Sequence, residues 1–174
     1  FDAKLLKEVS FTKLTVNTYF YPTTTGSTVV SYQDSQPRAY YEPYNATSNP
    51  IGYQDDSQAA TREHTLLAAA VNAVGSQVPT TLNLDIDSDG RVDNVCFVVK
   101  GSPGAWADLL WPHKWSLYTQ YVTLNGKRVY TYNLQLENHM LYSSGVGVLC
   151  HEMFHSLGAP DLYHYSYDGY VPVG

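Results

Sequence analysis

Two histidines four residues apart, His151 and His155, stand near the end of the chain with Glu152 directly after the first. In an α-helix, residues four apart share one face, so both imidazoles can reach one metal ion. The carboxylate then stands beside the open position of that ion, where it can take a proton from water and deliver it to a leaving amine. This is the pattern of a zinc peptidase, although the pattern alone also arises by chance in unrelated helices.

A third ligand is required, and the residues after these histidines offer two candidates. Gly158 falls where a sharp turn would bring the chain back under the metal. Asp161 lies at the position where the third ligand is needed, and His164, three residues further on, competes with it. We expect Asp161 to complete the set and the fourth position to be left for water. Incidental histidines in a buried helix are the alternative, but they would leave Glu152 without a purpose in an apolar stretch.

A second candidate metal site is an acidic loop that precedes an apolar run. Aspartates stand at positions one, three, five and nine around a glycine at six, and a backbone carbonyl, that of Arg91, is available at position seven. These aspartates are Asp85, Asp87, Asp89 and Asp93. Such a loop turns several oxygens toward one hard cation, which suggests calcium. The alternative is a solvated acidic turn, but carboxylates at this density repel one another without a cation.

Composition limits the classes of function that are open to the chain. With 174 residues, of which 44% are hydrophobic, residues 1–174 are expected to form a single domain with a real core. The net charge of -6 and a single tight basic pair, Lys127-Arg128, argue against binding to nucleic acid or to an anionic membrane. No apolar run approaches the roughly 18 residues of a membrane span, so no membrane insertion is expected. Nothing in the sequence indicates an oligomeric state.

Hydrophobic periodicity predicts a mixture of strands and helices. The predicted elements are a strand at Leu14–Tyr21, a helix at Ser57–Val74, a buried central strand at Asn94–Val99, a hairpin that joins Tyr121–Leu124 to Val129–Leu136, and a helix at Ser144–Leu157. Asn125-Gly126 readily supplies the positive φ angles of a two-residue hairpin turn. Ser57 or Asp56 is expected to cap the first helix. Ser143 or Ser144 is expected to cap the second helix.

Several other side chains carry weaker expectations. Cys96 and Cys150 lie in apolar runs, where buried thiols are expected, and a single disulfide between them is also open. His64 is expected to be a surface or satisfied histidine. His113 has no spacing that marks it as a ligand, but it could line a cleft. A structural wedging role is expected for the tryptophans, which are Trp106, Trp111 and Trp115.

From His151 to Tyr163 the sequence reads HEMFHSLGAPDLY and resembles the immune inhibitor A family of secreted metallopeptidases, relatives of the metzincins. That family carries aspartate in place of the third histidine of typical metzincins. The resemblance extends upstream through the acidic loop, the Trp111–His113 segment and the tyrosine-rich strand before the helix. It implies that Glu152 is the general base and that the acidic loop binds calcium for stability. It also implies three zinc ligands, which are His151, His155 and Asp161.

The resemblance further implies an α/β (α+β) domain with a twisted mixed sheet, a backing helix and an active-site helix. Protein or peptide substrates and a secreted or cell-surface location follow from it. Family members continue into a turn with a methionine beneath the metal, whereas the only methionines here are Met140 and Met153. The domain of family members also opens with an additional strand. The chain is therefore expected to be trimmed at both ends. A catalytically inactive surface module that binds protein or glycan is the alternative function, although retention of Glu152 favours the enzyme.

Overall fold

The structure is a computed structural model that describes residues 7–8, 10–142 and 146–161. The predicted capping serines at 143 and 144, and His164, lie outside these described residues. The helices are α1, Asp56–Val74; α2, Glu137–Tyr142; and α3, Val146–Ser156. The strands are β1, Val95–Val99; β2, His113–Ser116; β3, Thr123–Leu124; β4, Lys127–Arg128; and β5, Thr131–Leu136. This mixture of helices and strands confirms the predicted α/β class.

Strand β5 is the middle strand of a three-stranded mixed sheet, in the order β1-β5-β2. Strand β1 runs parallel to it, with Val95 opposite Tyr132, and strand β2 runs antiparallel, with Trp115 opposite the same tyrosine. Five of the six residues of β5 are buried, and the strand has a neighbour on each side. In the described part of the chain, β2 is therefore an edge strand.

Strand β1 differs from its prediction as a buried central strand. Its residues alternate between half-buried and exposed, and Val98 is 58% exposed. An apolar run is buried throughout only when both faces of the strand are covered. Within the described residues β1 lies at the sheet edge, Cys96 on this strand is exposed, and Cys150 on α3 is buried. No disulfide joins these two cysteines.

The Asn-Gly turn forms as predicted, but the hairpin around it is shorter than predicted. Asn125 and Gly126 have φ angles of 50° and 77°, as a two-residue turn requires. Only the two-residue strands β3 and β4 pair across the turn, with one further hydrogen bond from the Val129 amide to the Val122 carbonyl at 2.9 Å. The prediction that the whole 129–136 segment belongs to the hairpin is wrong, because β5 leaves it to pair with β1 and β2.

The segment Leu14–Tyr21 forms no strand, which contradicts its prediction. Phe20, in the middle of its aromatic end, is 79% exposed. Aromatic and β-branched residues favour a strand only where a partner strand and a packing surface are available. Tyr21 packs against the core, but the described part of the chain offers this segment no partner strand.

Helix α1 backs the sheet and places Leu67 and Val71 in the core. It begins at Asp56, and its N-cap is Asp55, whose carboxylate accepts a hydrogen bond from the Gln58 amide at 2.8 Å. The predicted capping residues therefore lie one or two positions too late, inside the first helical turn. Among the described helices, none combines the length and the apolar character that crossing a membrane would require.

Replacing Asp55 with alanine is expected to lower the free energy of unfolding by about 1 kcal/mol, because the amide at the third helical position loses its partner. Urea unfolding followed by circular dichroism measures this change. Asp56→Ala is the matched control, since Asp56 is also acidic but does not cap the helix. If the two variants lose equal stability, the capping role of Asp55 is contradicted.

Candidate active site

Helix α3 carries His151, Glu152 and His155, and it ends in a turn that returns the chain toward them. Leu149 and Cys150 are buried and seat the helix against the protein. Gly158 has a φ of 91°, the left-handed conformation that glycine adopts without a steric penalty. The predicted sharp turn at this glycine is therefore confirmed. The described helix ends at Ser156, one residue before its predicted end.

Three donor atoms from the helix and the turn converge on one point. The Nε2 atoms of His151 and His155 are 3.0 Å apart. The Oδ1 atom of Asp161 lies 3.2 Å from the first of these nitrogens and 3.1 Å from the second. The structure thus brings together the three residues that the sequence predicts as ligands.

This spacing fits a zinc ion. Donors bound to one zinc ion at about 2.0–2.1 Å in tetrahedral directions stand about 3.3–3.4 Å apart. The observed separations of 3.0–3.2 Å are shorter by only a few tenths of an ångström. Two imidazole nitrogens and one carboxylate oxygen also form a donor set that zinc prefers at catalytic sites. The three residues therefore match zinc in both chemistry and distance.

A backbone carbonyl fixes the protonation of His155. Its Nδ1 atom lies 2.8 Å from the carbonyl oxygen of Ala159, so the Nδ1–H group donates this hydrogen bond. A neutral imidazole that carries its proton on Nδ1 has a lone pair on Nε2, the atom that faces Asp161. The Ala159 amide in turn donates to the Phe154 carbonyl at 3.0 Å, which holds the accepting carbonyl in place.

The donor atoms and Glu152 open into one cleft of about 680 Å³. Glu152 is only 7% exposed, so its carboxylate lies on the floor of the cleft. Aromatic and basic residues also line the cleft, and they are Trp106, Trp111, His113, Lys114 and His139. Because Trp106 is 79% exposed and Trp115 is 52% exposed, the predicted wedging role is wrong for both.

Buried polar groups fasten helix α3 to the sheet, and sequence reasoning missed them. The Asn133 amide on β5 donates to the Ser156 hydroxyl at 3.0 Å and to the Asn94 side-chain carbonyl at 2.9 Å. The Asn94 amide lies 3.3 Å from the sulfur of Met153. Asn133 is fully buried, and a polar residue between Tyr132 and Leu134 in a predicted strand is the signal that could have indicated this role.

His113 lines the cleft, as the sequence analysis allowed, and it is paired with a residue that was not singled out. Its Nε2 atom lies 3.0 Å from the carboxylate of Glu63 on α1, and its Nδ1 atom lies 2.6 Å from the Trp111 carbonyl. Burial alone would lower the pKa of His113, but the hydrogen bond and charge of Glu63 outweigh it, so the pKa is raised. Neighbouring His64 is buried and bonded to Thr119 at 2.8 Å, which fits the predicted satisfied histidine.

The acidic loop is compact, and the side chain of Lys127 already places one positive charge against it. The buried Asp85 carboxylate accepts hydrogen bonds from the amides of Asp89 and Gly90, at 2.9 and 3.1 Å, and binds the Lys127 ammonium at 2.7 Å. The Lys127 ammonium holds the pKa of Asp85 below its usual value. Oxygen atoms of three carboxylates approach within 4.8 Å of one another, and these belong to Asp85, Asp87 and Asp89. Asp93 lies outside this group, and its carboxylate instead accepts the Ile86 amide at 3.1 Å.

Comparison with known proteins identifies the family. The family model described as immune inhibitor A peptidase M6, catalytic domain, matches residues 87–173, which is half of the chain. This range contains the whole sheet, helix α3 and the three converging donors. No curated protein matches the chain significantly. The chain belongs to the immune inhibitor A family of M6 metallopeptidases, as its resemblance to that family predicted.

Proposed function

We propose that this protein is a secreted or cell-surface zinc endopeptidase that cleaves protein or peptide substrates. The observation that carries the proposal is the convergence of His151, His155 and Asp161 within 3.0–3.2 Å of one another, beside the buried Glu152 in an open cleft. Zinc bound by these three residues would polarise the scissile carbonyl and lower the pKa of water at its open position. The extracellular location rests on the resemblance to secreted peptidases.

Glu152 is the general base of the proposed reaction. Its carboxylate accepts a proton from the attacking water and then delivers that proton to the leaving amine. Burial keeps the carboxylate away from bulk water, so the proton moves between positioned groups rather than into solvent. The tautomer of His155 is set by Ala159 and therefore stays fixed during the reaction.

Strand β2 is the element that would receive an extended substrate. Strand β5 has a neighbour on each side and so offers no free edge to a substrate, whereas β2 is an edge strand among the described residues. The edge of β2 lies in the cleft wall at His113 and Lys114. Main-chain pairing along such an edge binds a peptide without strong dependence on its side chains.

Purified protein is expected to digest casein and to lose this activity when a zinc chelator is added. Bound zinc would make the water more acidic, so without zinc Glu152 would have no sufficiently acidic proton to accept. Gel analysis of casein fragments, together with metal analysis of the same sample, measures both properties. If casein is digested equally well by protein that contains no zinc, the proposal is contradicted.

We also propose that the acidic loop binds calcium as a structural ion. The oxygens of Asp85, Asp87 and Asp89 are already gathered, and Lys127 provides the positive charge that a calcium ion would replace. Asp93 and the Arg91 carbonyl are the further ligands that the sequence predicts. A cation that binds only the folded protein stabilises it.

Calcium at about one hundred times its dissociation constant is expected to raise the Tm by about 5 to 10 °C. Differential scanning calorimetry of the zinc-loaded protein, with and without calcium, measures this shift. The Asp87→Asn/Asp89→Asn variant is the control, and it should lose most of the response. A Tm of the parent protein that is insensitive to calcium would rule out this site.

A further inference from the structure

A buried group of polar side chains joins α1, β2 and β5 behind the cleft. The Glu63 side chain on α1 is 7% exposed and accepts hydrogen bonds from the Tyr132 hydroxyl on β5 and from His113 on β2. No local sequence pattern links these residues, since His113 lies 50 positions after Glu63. The group ties the edge strand of the cleft to the backing helix.

The hydrogen bonds of His113 require a positive charge. Both of its ring nitrogens face acceptors, the carbonyl of Trp111 at 2.6 Å and the carboxylate of Glu63 at 3.0 Å. Neither acceptor carries a hydrogen to offer, so each nitrogen must carry one, and only the imidazolium form does. The raised pKa of His113 agrees with this form, and Glu152 favours it as well.

The surroundings of His113 place this charge at the active site. Its side chain is 21% exposed and lines the same cleft as Glu152. The titratable groups around His113 come from α1, α2, α3 and β5, which pack near it, and from β2 itself. They are Glu63 and His64 on α1, Tyr132 on β5, Glu152 on α3, His139 on α2, and Lys114 on β2. Of the two carboxylates in this set, Glu63 bonds the imidazole directly and Glu152 belongs to the proposed reaction.

We propose that His113 is a positioning residue of the peptidase, held as an imidazolium by Glu63, which fixes the cleft-wall strand β2 and keeps a positive charge in the cleft beside Glu152. The inference rests on the proposed peptidase function. Peptide hydrolysis passes through a transition state in which negative charge develops on the substrate oxygen. A charge that is already oriented in the cleft stabilises this state without reorganisation. Because both nitrogens of His113 are occupied, it acts through its charge and through β2 rather than by giving up a proton.

The test uses zinc-loaded protein and three variants. Glu63→Gln keeps the size of the side chain but removes the charge that holds the imidazolium. His113→Gln removes the imidazole itself, and Tyr132→Phe removes a hydrogen bond to Glu63 without changing any charge. We expect kcat/KM to fall by at least about tenfold in the first two variants, mostly through kcat, and by much less in Tyr132→Phe.

The pH profile separates this role from a structural one. With Glu63 replaced, burial is expected to lower the pKa of His113 below its ordinary value. The activity of Glu63→Gln relative to the parent should then decline as pH rises through this lowered pKa, while the ratio for Tyr132→Phe stays flat. Imidazole ¹⁵N chemical shifts of His113 should indicate two protonated nitrogens at pH 8 in the parent and a neutral ring in Glu63→Gln.

Each outcome distinguishes this inference from the proposed function. A neutral His113 in the parent at pH 8, or a His113→Gln variant that retains full kcat, overturns the positioning role even if the parent is an active peptidase. If Glu63→Gln does not fold, the imidazole ¹⁵N chemical shifts of the parent protein and the kinetics of His113→Gln still decide the question. A zinc-loaded parent that hydrolyses no peptide overturns the proposed function, and the positioning role with it.

Discussion

Replacing Glu152 with glutamine is expected to lower kcat for peptide hydrolysis by about 10² to 10⁴, with no change in zinc content. Glutamine has nearly the same shape as glutamate, and Glu152 is not one of the three converging donors, so the metal site stays intact. The amide cannot accept the proton of the attacking water, however, and therefore cannot return it to the leaving amine. Cleavage of a quenched fluorescent peptide, with metal analysis of the same samples, measures both quantities.

Glu137→Gln is the matched control for this prediction. Glu137 begins α2 and is not among the residues that line the cleft, so the same chemical change there should leave kcat unaltered. If Glu152→Gln turns over substrate as fast as the parent protein, Glu152 is not the general base. If Glu152→Gln loses zinc together with activity, the loss of activity cannot be assigned to proton transfer. The claim that Glu152 does not help to bind the metal is then contradicted.

Replacing Asp161 with alanine is expected to weaken zinc binding by more than about a hundredfold and to abolish hydrolysis. Loss of a residue that binds the metal directly should weaken metal affinity by more than loss of a residue that only hydrogen-bonds to a ligand, which typically costs about tenfold to hundredfold. The Oδ1 atom of Asp161 lies 3.2 Å from the Nε2 atom of His151 and 3.1 Å from that of His155, so it is placed to complete the donor set. Competition with a fluorescent zinc chelator measures the change in affinity.

His164→Ala is the control that decides between the two candidates for third ligand. His164 is three residues beyond Asp161 in the sequence, and its replacement should leave zinc affinity within about twofold of the parent value. The opposite pattern, with zinc retained in Asp161→Ala and lost in His164→Ala, would assign the third position to the histidine.

The active-site helix could be predicted from the sequence because its determinants are local. The spacing of His151 and His155 places them on one helical face whatever the rest of the fold does, and Gly158 marks the turn by its own conformational freedom. The Asn125-Gly126 turn could be predicted for the same reason. In each case a few adjacent residues contain all the information that the local structure needs.

Pairing between distant segments could not be predicted in this way. The alternating pattern of residues 129–136 indicates a strand, but it does not say that β1 and β2 rather than β3 lie beside it. Burial of β1 depends on layers that its own sequence does not encode, so Cys96 was expected inside and is exposed. The Glu63–His113 pair has no signal at all in either segment, because it exists only once α1 packs behind the sheet.

The most direct test of the central claim is a zinc titration of metal-free protein, followed by cleavage of a quenched fluorescent peptide. We expect no cleavage before zinc is added, a linear rise in rate up to one equivalent, and a plateau beyond it, because one set of three donors holds one ion. Tight binding of one equivalent without any cleavage would contradict the enzyme and favour a peptidase-like binding module. Cleavage that is independent of zinc would contradict the metal centre itself.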